Sequence, residues 1–171
     1  MTKEKVIAVY DNHDEAAEAM KAMLAAGVLK EDISVVGKGE RGEPKDDFEL
    51  DKENADILTW GKEGALWGGI WGFLAGAFFL WVPGFGPLVA AGPVIASLAG
   101  ALGGAATVGG IAAIIAGFID IGIDESEARR YADLIKNGKT VIIVRNAISA
   151  EKAKDVLENL GKGEVKFYQK A

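Results

Sequence analysis

Few residues of this chain combine the types and spacing that a chemical reaction requires. Residues 37 to 42, Gly-Lys-Gly-Glu-Arg-Gly, match the G-x-G-x-x-G pattern that can hold a dinucleotide phosphate after a strand. Such a site needs its third glycine to open a helix, whereas Pro44 and an acidic run follow here. The pattern therefore predicts a turn and not a nucleotide site.

The other ionisable candidates are equally sparse. His13 is the single histidine and falls in the first turn of a predicted helix, which favours a solvated cap residue over a catalytic base. The acidic residues from Asp46 to Glu53 lack the glycine and terminal glutamate of a calcium loop. Asp120 and Asp124 close an apolar run with no ionisable group inside it, which argues against a transporter or pump. We expect no catalytic residue, metal or cofactor.

That apolar run is the dominant feature of the sequence. Its 56 residues, Gly64 to Ile119, contain no Asp, Glu, Lys, Arg, His, Asn or Gln, and only Ser97 and Thr107 carry a hydroxyl. Spanning a hydrocarbon core of about 30 Å takes about 20 apolar residues. The segment is therefore long enough for two spans and a turn.

The rest of the chain carries nearly all of its charge. There are 19 basic and 25 acidic residues, a net charge of -6, and no cysteine. This acidity argues against a nucleic-acid partner, which needs clustered Lys and Arg, and the lack of cysteine excludes disulfides and thiolate metal sites. The first residues contain too short an apolar run for a signal peptide. We expect both termini in the cytoplasm.

Two polar arms flank the apolar run and share one pattern. Lys5–Tyr10 is β-prone, Asn12 caps a helix that Gly27 ends, and Ile33–Val36 is a second strand. In the C-terminal arm, Thr140–Val144 is a strand and Ser149 caps a helix. The last strand is Glu164–Tyr168. Two βαβ units pair as a split βαβ. We therefore predict an α+β fold, a ferredoxin-like sandwich with a long inserted helical hairpin between strands 2 and 3.

The predicted organisation has five parts. They are the first βαβ half (1–37), a charged linker (38–59), a glycine-zipper hydrophobic hairpin (60–123), a connecting helix (124–139) and the second βαβ half (140–171). The connecting helix begins with Asp124 or Ser126 as its cap and ends at Gly138.

Glycines recur at helical spacing within the hairpin. The predicted packing glycines are Gly64, Gly68, Gly72 and Gly76 in the first helix, and Gly100, Gly104, Gly109 and Gly117 in the second half. Small residues at this spacing let helices approach closely in lipid. Close packing within one hairpin and packing between subunits fit this stripe equally well.

Prolines and glycines break the run in its middle. The predicted hairpin turn contains Pro83, Gly84, Gly86, Pro87 and Pro93, with a short half-helix at 88–99. Helices over 64–82 and 100–119 would be about 28 and 30 Å long. Trp60, Trp67, Trp71 and Trp81 are the predicted interface anchors. Because the turn has no charge, a re-entrant hairpin or a closed particle with inward hairpins explains the same sequence.

The order of these elements resembles bacterial general-stress proteins of the heat-induced stress protein and 17M-like type. The residues that carry the resemblance are Val6, Val9, Asp11, Glu15 and Ala16, the strand Asp32–Val36, the opening Gly64–Gly68 and the helix Glu125–Tyr131. The resemblance implies an α/β lobe with a glycine-rich hairpin, membrane association and a link to stress, without a catalytic residue.

These patterns predict a non-enzymatic protein that packs its glycine-zipper hairpins in an apolar phase. Its expected partners are copies of itself, in a large homo-oligomer, and lipid or other hydrophobic molecules. The expected location is the cytoplasmic membrane. One alternative is a soluble closed particle in the cytoplasm that holds lipid, quinone or similar cargo. Another is a small-ligand sensor lobe on a membrane anchor, by analogy of fold.

Overall fold

The computed structural model describes residues 4–38, 78–82, 86–92 and 110–169. In these ranges the strands are β1 (Lys5–Tyr10), β2 (Ile33–Lys38), β3 (Phe78–Val82), β4 (Gly86–Ala91), β5 (Thr140–Arg145) and β6 (Glu164–Tyr168). The helices are α1 (His13–Ala25), α2 (Gly110–Asp120), α3 (Glu125–Lys136) and α4 (Ala147–Leu160), and a 3-10 turn (Lys30–Asp32) precedes β2. The fold is α+β, as predicted.

The six strands form one antiparallel sheet in the order β3-β4-β2-β5-β1-β6. Strand β5 pairs with both β1 and β2, so Val141 faces Val9 on one side and Val36 on the other. Because β1 and β2 are both antiparallel to β5, they run in the same direction. The strands of the two arms thus interleave at the centre of the sheet.

The predicted elements of the arms are confirmed, with one correction at a helix cap. The Asn12 side chain accepts a hydrogen bond from the Glu15 amide at 2.9 Å, which caps α1 as expected. Ser149 was the predicted cap of α4, and this prediction is wrong. Asn146 takes that position at φ 83°, and its side chain accepts from the Ile148 amide. Ser149 lies in the first turn and donates to Asp32 Oδ2 at 2.5 Å.

Helices cover both faces of the sheet. The arm face packs the side chains of Val6, Ala8 and Tyr10 against α1 and α4. The insert face packs Ile7 and Val9 against α2 and α3. Because both faces are covered, every residue of β1 is buried, as are the first five of β5, and after Lys5 and Thr140 their residues show no alternation of apolar and polar types. The lobe has three layers, with a core on each side of the sheet.

The structure corrects the predicted helical hairpin in its middle. Residues 78–82 and 86–91 are strands, so the predicted helix over 64–82 is wrong at 78–82 and the half-helix over 88–99 is wrong at 88–91. Strands β3 and β4 pair antiparallel, with Val82 opposite Gly86 and Trp81 opposite Pro87, so the predicted turn residues Gly86 and Pro87 belong to a strand. Aromatic and branched side chains suit strands, and a short apolar run fits either element.

The end of the apolar run forms a helix, as predicted, but in a different environment. Helix α2 has 11 residues and lies on the insert face, where Ile114 and Phe118 are buried. The Phe118 ring lies 5.6 Å from the ring of Tyr131 in α3. The sequence predicted a membrane span over 100–119, and residues 110–119 instead contribute to the core of the lobe. Within the described ranges, every helix is too short or too polar to cross a bilayer.

The two ends of the sheet differ in which strands begin or end there and in which loops they carry. At the Lys5 end, β1, β2 and β3 begin, and β4, β5 and β6 end. Phe78 and Gly92 both lie at the Lys5 end, because Phe78 pairs with Ala90 and Ala91 pairs with Val35. The loops at the opposite end, the Tyr10 end, join β1 to α1, α3 to β5 and α4 to β6.

Candidate functional site

Most of the predicted site residues lie outside the described ranges. These are Gly64, Gly68, Gly72, Gly76, Gly100, Gly104 and Gly109, the anchors Trp60, Trp67 and Trp71, and the turn residues Pro83, Gly84 and Pro93. The predicted acidic run between residues 46 and 53 and residues 39 to 42 of the glycine pattern also lie outside them.

Four predicted site residues are described. Trp81 in β3 pairs with Pro87 in β4, next to Gly86, whereas Gly117 lies in α2. Gly117 is buried within its own lobe. Its burial places this one glycine of the stripe inside a single chain, and the choice between the two alternatives for the whole stripe stays a prediction.

The ionisable candidates are separated as well. His13 is the first residue of α1, whereas Asp120 ends α2 and Asp124 is the N-cap of α3. Both aspartates are exposed, so they stand at the surface of the Lys5 end and not beside an interior path. Among the described residues, no group of three His, Cys, Asp or Glu side chains is placed to hold a metal ion.

A polar cluster that sequence reasoning missed joins α3 to β6. Glu127 accepts a hydrogen bond from the Tyr168 hydroxyl at 2.9 Å and pairs with Lys166 at 2.8 Å. The hydroxyls of Tyr131 and Tyr168 are 2.7 Å apart, and since Tyr168 donates to Glu127, Tyr131 donates to Tyr168. We call Glu127, Tyr131, Lys166 and Tyr168 the tyrosine cluster.

An ion pair borders the tyrosine cluster. The Arg130 guanidinium binds both carboxylate oxygens of Glu164, in the first residue of β6, and its carbon lies 5.9 Å from the centre of the Tyr131 ring. The Lys166 ammonium lies 5.3 Å from the Tyr168 ring. Each charged group on this side of β6 thus has a partner on α3 or on its own strand.

The protonation of the tyrosine cluster follows from these contacts. Hydrogen bonds from Lys166 and Tyr168 lower the pKa of Glu127 below its ordinary value. Burial raises the pKa of Tyr168, and its hydrogen bonds with Tyr131 and Glu127 raise it further. Burial also raises the pKa of Tyr131. A phenol with a raised pKa is a poor nucleophile at neutral pH. The cluster therefore fastens the edge strand β6 to α3 and lacks an activated group.

A buried lysine connects β1 to the end of α2. Lys5 is 7 % exposed, and its ammonium donates to the carbonyls of Ile121 at 2.7 Å and Gly122 at 3.1 Å. A cation at a helix C-terminus satisfies carbonyls that have no partner within the helix and interacts favourably with the helix dipole. Lys5 therefore holds the end of the apolar run against the sheet.

Tyr10 is the contrasting polar group on the arm face. It is 1 % exposed, and its hydroxyl has no hydrogen-bond partner among the described residues. Burial raises its pKa to about 12, with Glu15 and Glu18 adding to the effect. The phenol therefore stays neutral at physiological pH.

Weak signals for these groups are present in the sequence. Glu127 and Tyr131 are four residues apart on one helix, and Lys166 and Tyr168 are two apart on one strand, so each pair shares a face. Their meeting depends on α3 covering the insert face beside β6. The pattern of the arms gives no information on that placement.

No protein-family model, no curated protein and no solved structure matches the chain.

Proposed function

We propose that this protein is a non-enzymatic, self-associating protein that binds lipid through its glycine-rich apolar segment. In this proposal the lobe is a ferredoxin-like split βαβ that holds the segment at a surface. The order β2-β5-β1-β6 of the four arm strands supports that topology, with β3 and β4 added beside β2. The link to stress proteins remains a prediction from resemblance.

The observation that carries the proposal is how the lobe holds the apolar run of residues 64–119, which we call the charge-free segment. It contributes β3 and β4 to the sheet and α2 to the insert face, so the lobe holds it at two places. Outside these elements, 14 residues (64–77) and 17 residues (93–109) still carry no charge. Both runs are shorter than the about 20 residues of a typical span. This favours shallow or re-entrant insertion over two full crossings.

The described polar groups support a physical role. In the tyrosine cluster, at Lys5 and at Ser149, hydrogen bonds pair the polar side chains with other groups of the chain. A catalytic site needs a group whose pKa or orientation suits proton transfer or attack on a substrate. The shifts in the tyrosine cluster act in the opposite direction, towards inert phenols and a stable carboxylate.

Intrinsic fluorescence tests the lipid interaction, because all four tryptophans lie between residues 60 and 81. The full chain is mixed with phosphatidylcholine vesicles, with and without brominated acyl chains. We expect the tryptophan emission to shift to shorter wavelength and to be quenched by the bromine atoms. Unchanged emission with vesicles would overturn the proposal. If the lipid-free chain also eluted as a large particle, that result would favour the closed assembly.

Self-association is tested separately by substitution in the glycine stripe. Gly68→Leu with Gly72→Leu adds bulk at the predicted helix contact, and we expect smaller particles by light scattering. Ala65→Leu with Ala75→Leu introduces the same leucine side chains away from the four-residue stripe and serves as the control. Equal particle sizes for both double variants would show that the stripe has no special role.

A further inference from the structure

The exposed apolar side chains of the lobe are not spread evenly over its surface. Among the described residues outside β3 and β4, the exposed large hydrophobic residues are Leu24 (41 %), Leu29 (52 %), Ile119 (43 %) and Ile148 (68 %). Leu24 lies in the last turn of α1 and Leu29 just before the 3-10 turn, whereas Ile148 lies in the first turn of α4. Ile119 lies in the last turn of α2. All four therefore lie at the Lys5 end.

Contacts between the elements bring three of these residues to one side of the Lys5 end. The hydrogen bond from Ser149 to Asp32 joins the start of α4 to the turn that follows Leu29. Gly27 lies near Lys152, since a Cβ at that glycine would be 3.9 Å from the lysine Nζ. Leu24, Leu29 and Ile148 thus surround the place where α1 ends and α4 begins, and Ile119 lies on the other face of the sheet.

The Tyr10 end has a different surface. Its loops present Asp11 and Asn12 after β1, Asn137 after α3, and Lys162 after α4, all exposed. None of the four exposed residues named above lies there. Outside β3 and β4, the described surface is therefore amphipathic along the direction of the strands.

The charge-free runs are attached at the apolar end. Residues 64–77 lead into Phe78, and residues 93–109 follow Gly92, and both of these residues lie at the Lys5 end. If either run enters an apolar phase, that phase also comes into contact with the side chains next to the place where the run joins the lobe. Chain continuity therefore indicates what covers Leu24, Leu29, Ile119 and Ile148.

We propose that the Lys5 end of the lobe docks on a lipid surface, with Ile148 and Leu29 entering it shallowly and the Tyr10 end facing water. This proposal rests on the lipid-binding function proposed above and specifies the orientation of the lobe. The net charge of -6 disfavours anionic lipid, and the Lys5 end itself carries both signs, with Lys30 and Lys152 exposed as well as Asp120 and Asp124. The surface therefore binds by burial of apolar side chains and not by attraction of charge.

The absence of cysteine allows a site-specific test on the full chain. Ile148→Cys and Asn159→Cys place one thiol each at opposite ends of α4, for labelling with an environment-sensitive fluorophore. On addition of phosphatidylcholine vesicles, we expect the label at position 148 to shift to shorter wavelength and the label at 159 to stay unchanged. Equal shifts at both positions, or no shift at 148, would overturn the orientation.

The tryptophans separate failure of this inference from failure of the proposed function. If tryptophan emission responds to lipid while the label at 148 does not, the segment binds lipid and the docking surface is wrong. If neither responds, the lipid-binding function itself is wrong. A shift at 148 that depends on protein concentration and not on lipid would assign the surface to a second copy of the chain and overturn the lipid proposal.

Partitioning gives a second measurement. We expect Leu29→Ser with Ile148→Ser to weaken vesicle binding by at least about tenfold, because each side chain loses apolar burial. Asn137→Ser with Asn159→Ser at the Tyr10 end is the matched control and should bind like the unmodified chain. Replacing part of the phosphatidylcholine by phosphatidylserine should weaken binding, and stronger binding would show charge attraction and contradict the proposal.

Discussion

The two faces of the sheet are covered by helices of different origin. On the arm face, α1 and α4 each follow the strand they pack against, so local βαβ units build that layer. On the insert face, α2 and α3 come from one stretch between β4 and β5, and α2 belongs to the charge-free run. The comparison shows that a sequence with the composition of a membrane segment can complete the hydrophobic core on one face of a sheet.

The two faces also differ in the hydrogen bonding of their polar side chains. The insert face has Lys5 on the end of α2 and the tyrosine cluster between α3 and β6, both hydrogen-bonded. The arm face buries the Tyr10 hydroxyl without a partner among the described residues. The insert layer is thus fastened by several polar contacts, whereas the arm layer combines the Ser149–Asp32 hydrogen bond with a buried hydroxyl that has no described partner.

The largest expected effect tests whether the two faces form one cooperative unit. Phe118→Ala on the insert face should lower the free energy of unfolding by about 3–5 kcal/mol, and Met20→Ala on the arm face by about 2–5 kcal/mol. Chemical denaturation followed by circular dichroism should show one transition for each variant, at lower denaturant concentration. An unchanged midpoint for Phe118→Ala would mean that α2 is not part of the core.

The next prediction concerns the pairing of the β3–β4 hairpin with β2. Gly92 has φ +94°, and a Cβ there would lie 2.3 Å from the Ile33 carbonyl oxygen, so Gly92→Ala must displace β4. Gly138 has a similar φ of +91° with open space around it. Gly138→Ala should cost about 1–2 kcal/mol from backbone strain alone, and Gly92→Ala should cost more. Equal losses of unfolding free energy would contradict the close approach at Gly92.

Removal of the buried ammonium should have an intermediate effect. Lys5→Met leaves the carbonyls of Ile121 and Gly122 without their charged donor and should cost about 1.5–3 kcal/mol. Lys162→Met breaks the half-exposed ion pair with Glu18 and should cost much less, because water screens this pair. Thermal unfolding of both variants measures the difference, and similar losses would show that Lys5 does not fasten α2.

Opposite signs are expected for two phenol deletions. Tyr168→Phe breaks the hydrogen-bonded chain from Tyr131 to Glu127 and should destabilise the lobe by about 1 kcal/mol. Tyr10→Phe removes a buried hydroxyl with no described partner and should leave stability unchanged or raise it by up to about 1 kcal/mol. Denaturant titrations compare the two, and a loss of stability in Tyr10→Phe would show that its hydroxyl is satisfied.

The smallest expected effect is a pH dependence from Glu127. Since its pKa is lowered in the folded state, its contribution to stability is present above the unfolded pKa and lost as pH falls through the folded pKa. Glu127→Gln should flatten the fall in stability below about pH 5. Glu125→Gln, which removes the exposed pair with Arg129, is the control. Identical slopes for all three proteins would contradict a specific role for Glu127.

The sequence was informative wherever local chemistry decides structure. The β-prone runs at Lys5 and Thr140, the Asn12 cap and the Gly27 and Gly138 stops were all predicted correctly. The cap of α4 was predicted wrongly because serine is a common cap residue, whereas the residue that caps this helix, Asn146, has a positive φ.

The sequence was less informative wherever one composition fits two environments. Phe78 to Val82 is apolar throughout, so neither an alternating nor a helical pattern identifies it as a strand. Helix α2 presents apolar residues all round, which suits lipid as well as a core between sheet and helix. The tyrosine cluster depends on that packing and could not be predicted without it.

The pairing of β1 has a consequence for how the chain is made. Both neighbours of β1, β5 and β6, come from the other end of the sequence, so Lys5 pairs with Arg145 and Tyr168. A ribosome that adds about 5–20 residues per second needs roughly 6–26 s to pass from Asp11 to Lys139. During that interval the newly made N-terminal strand has no partner, and the whole charge-free run is synthesised before the sheet can close. The charge-free run is therefore uncovered in the nascent chain until the slow, non-local closure of the sheet.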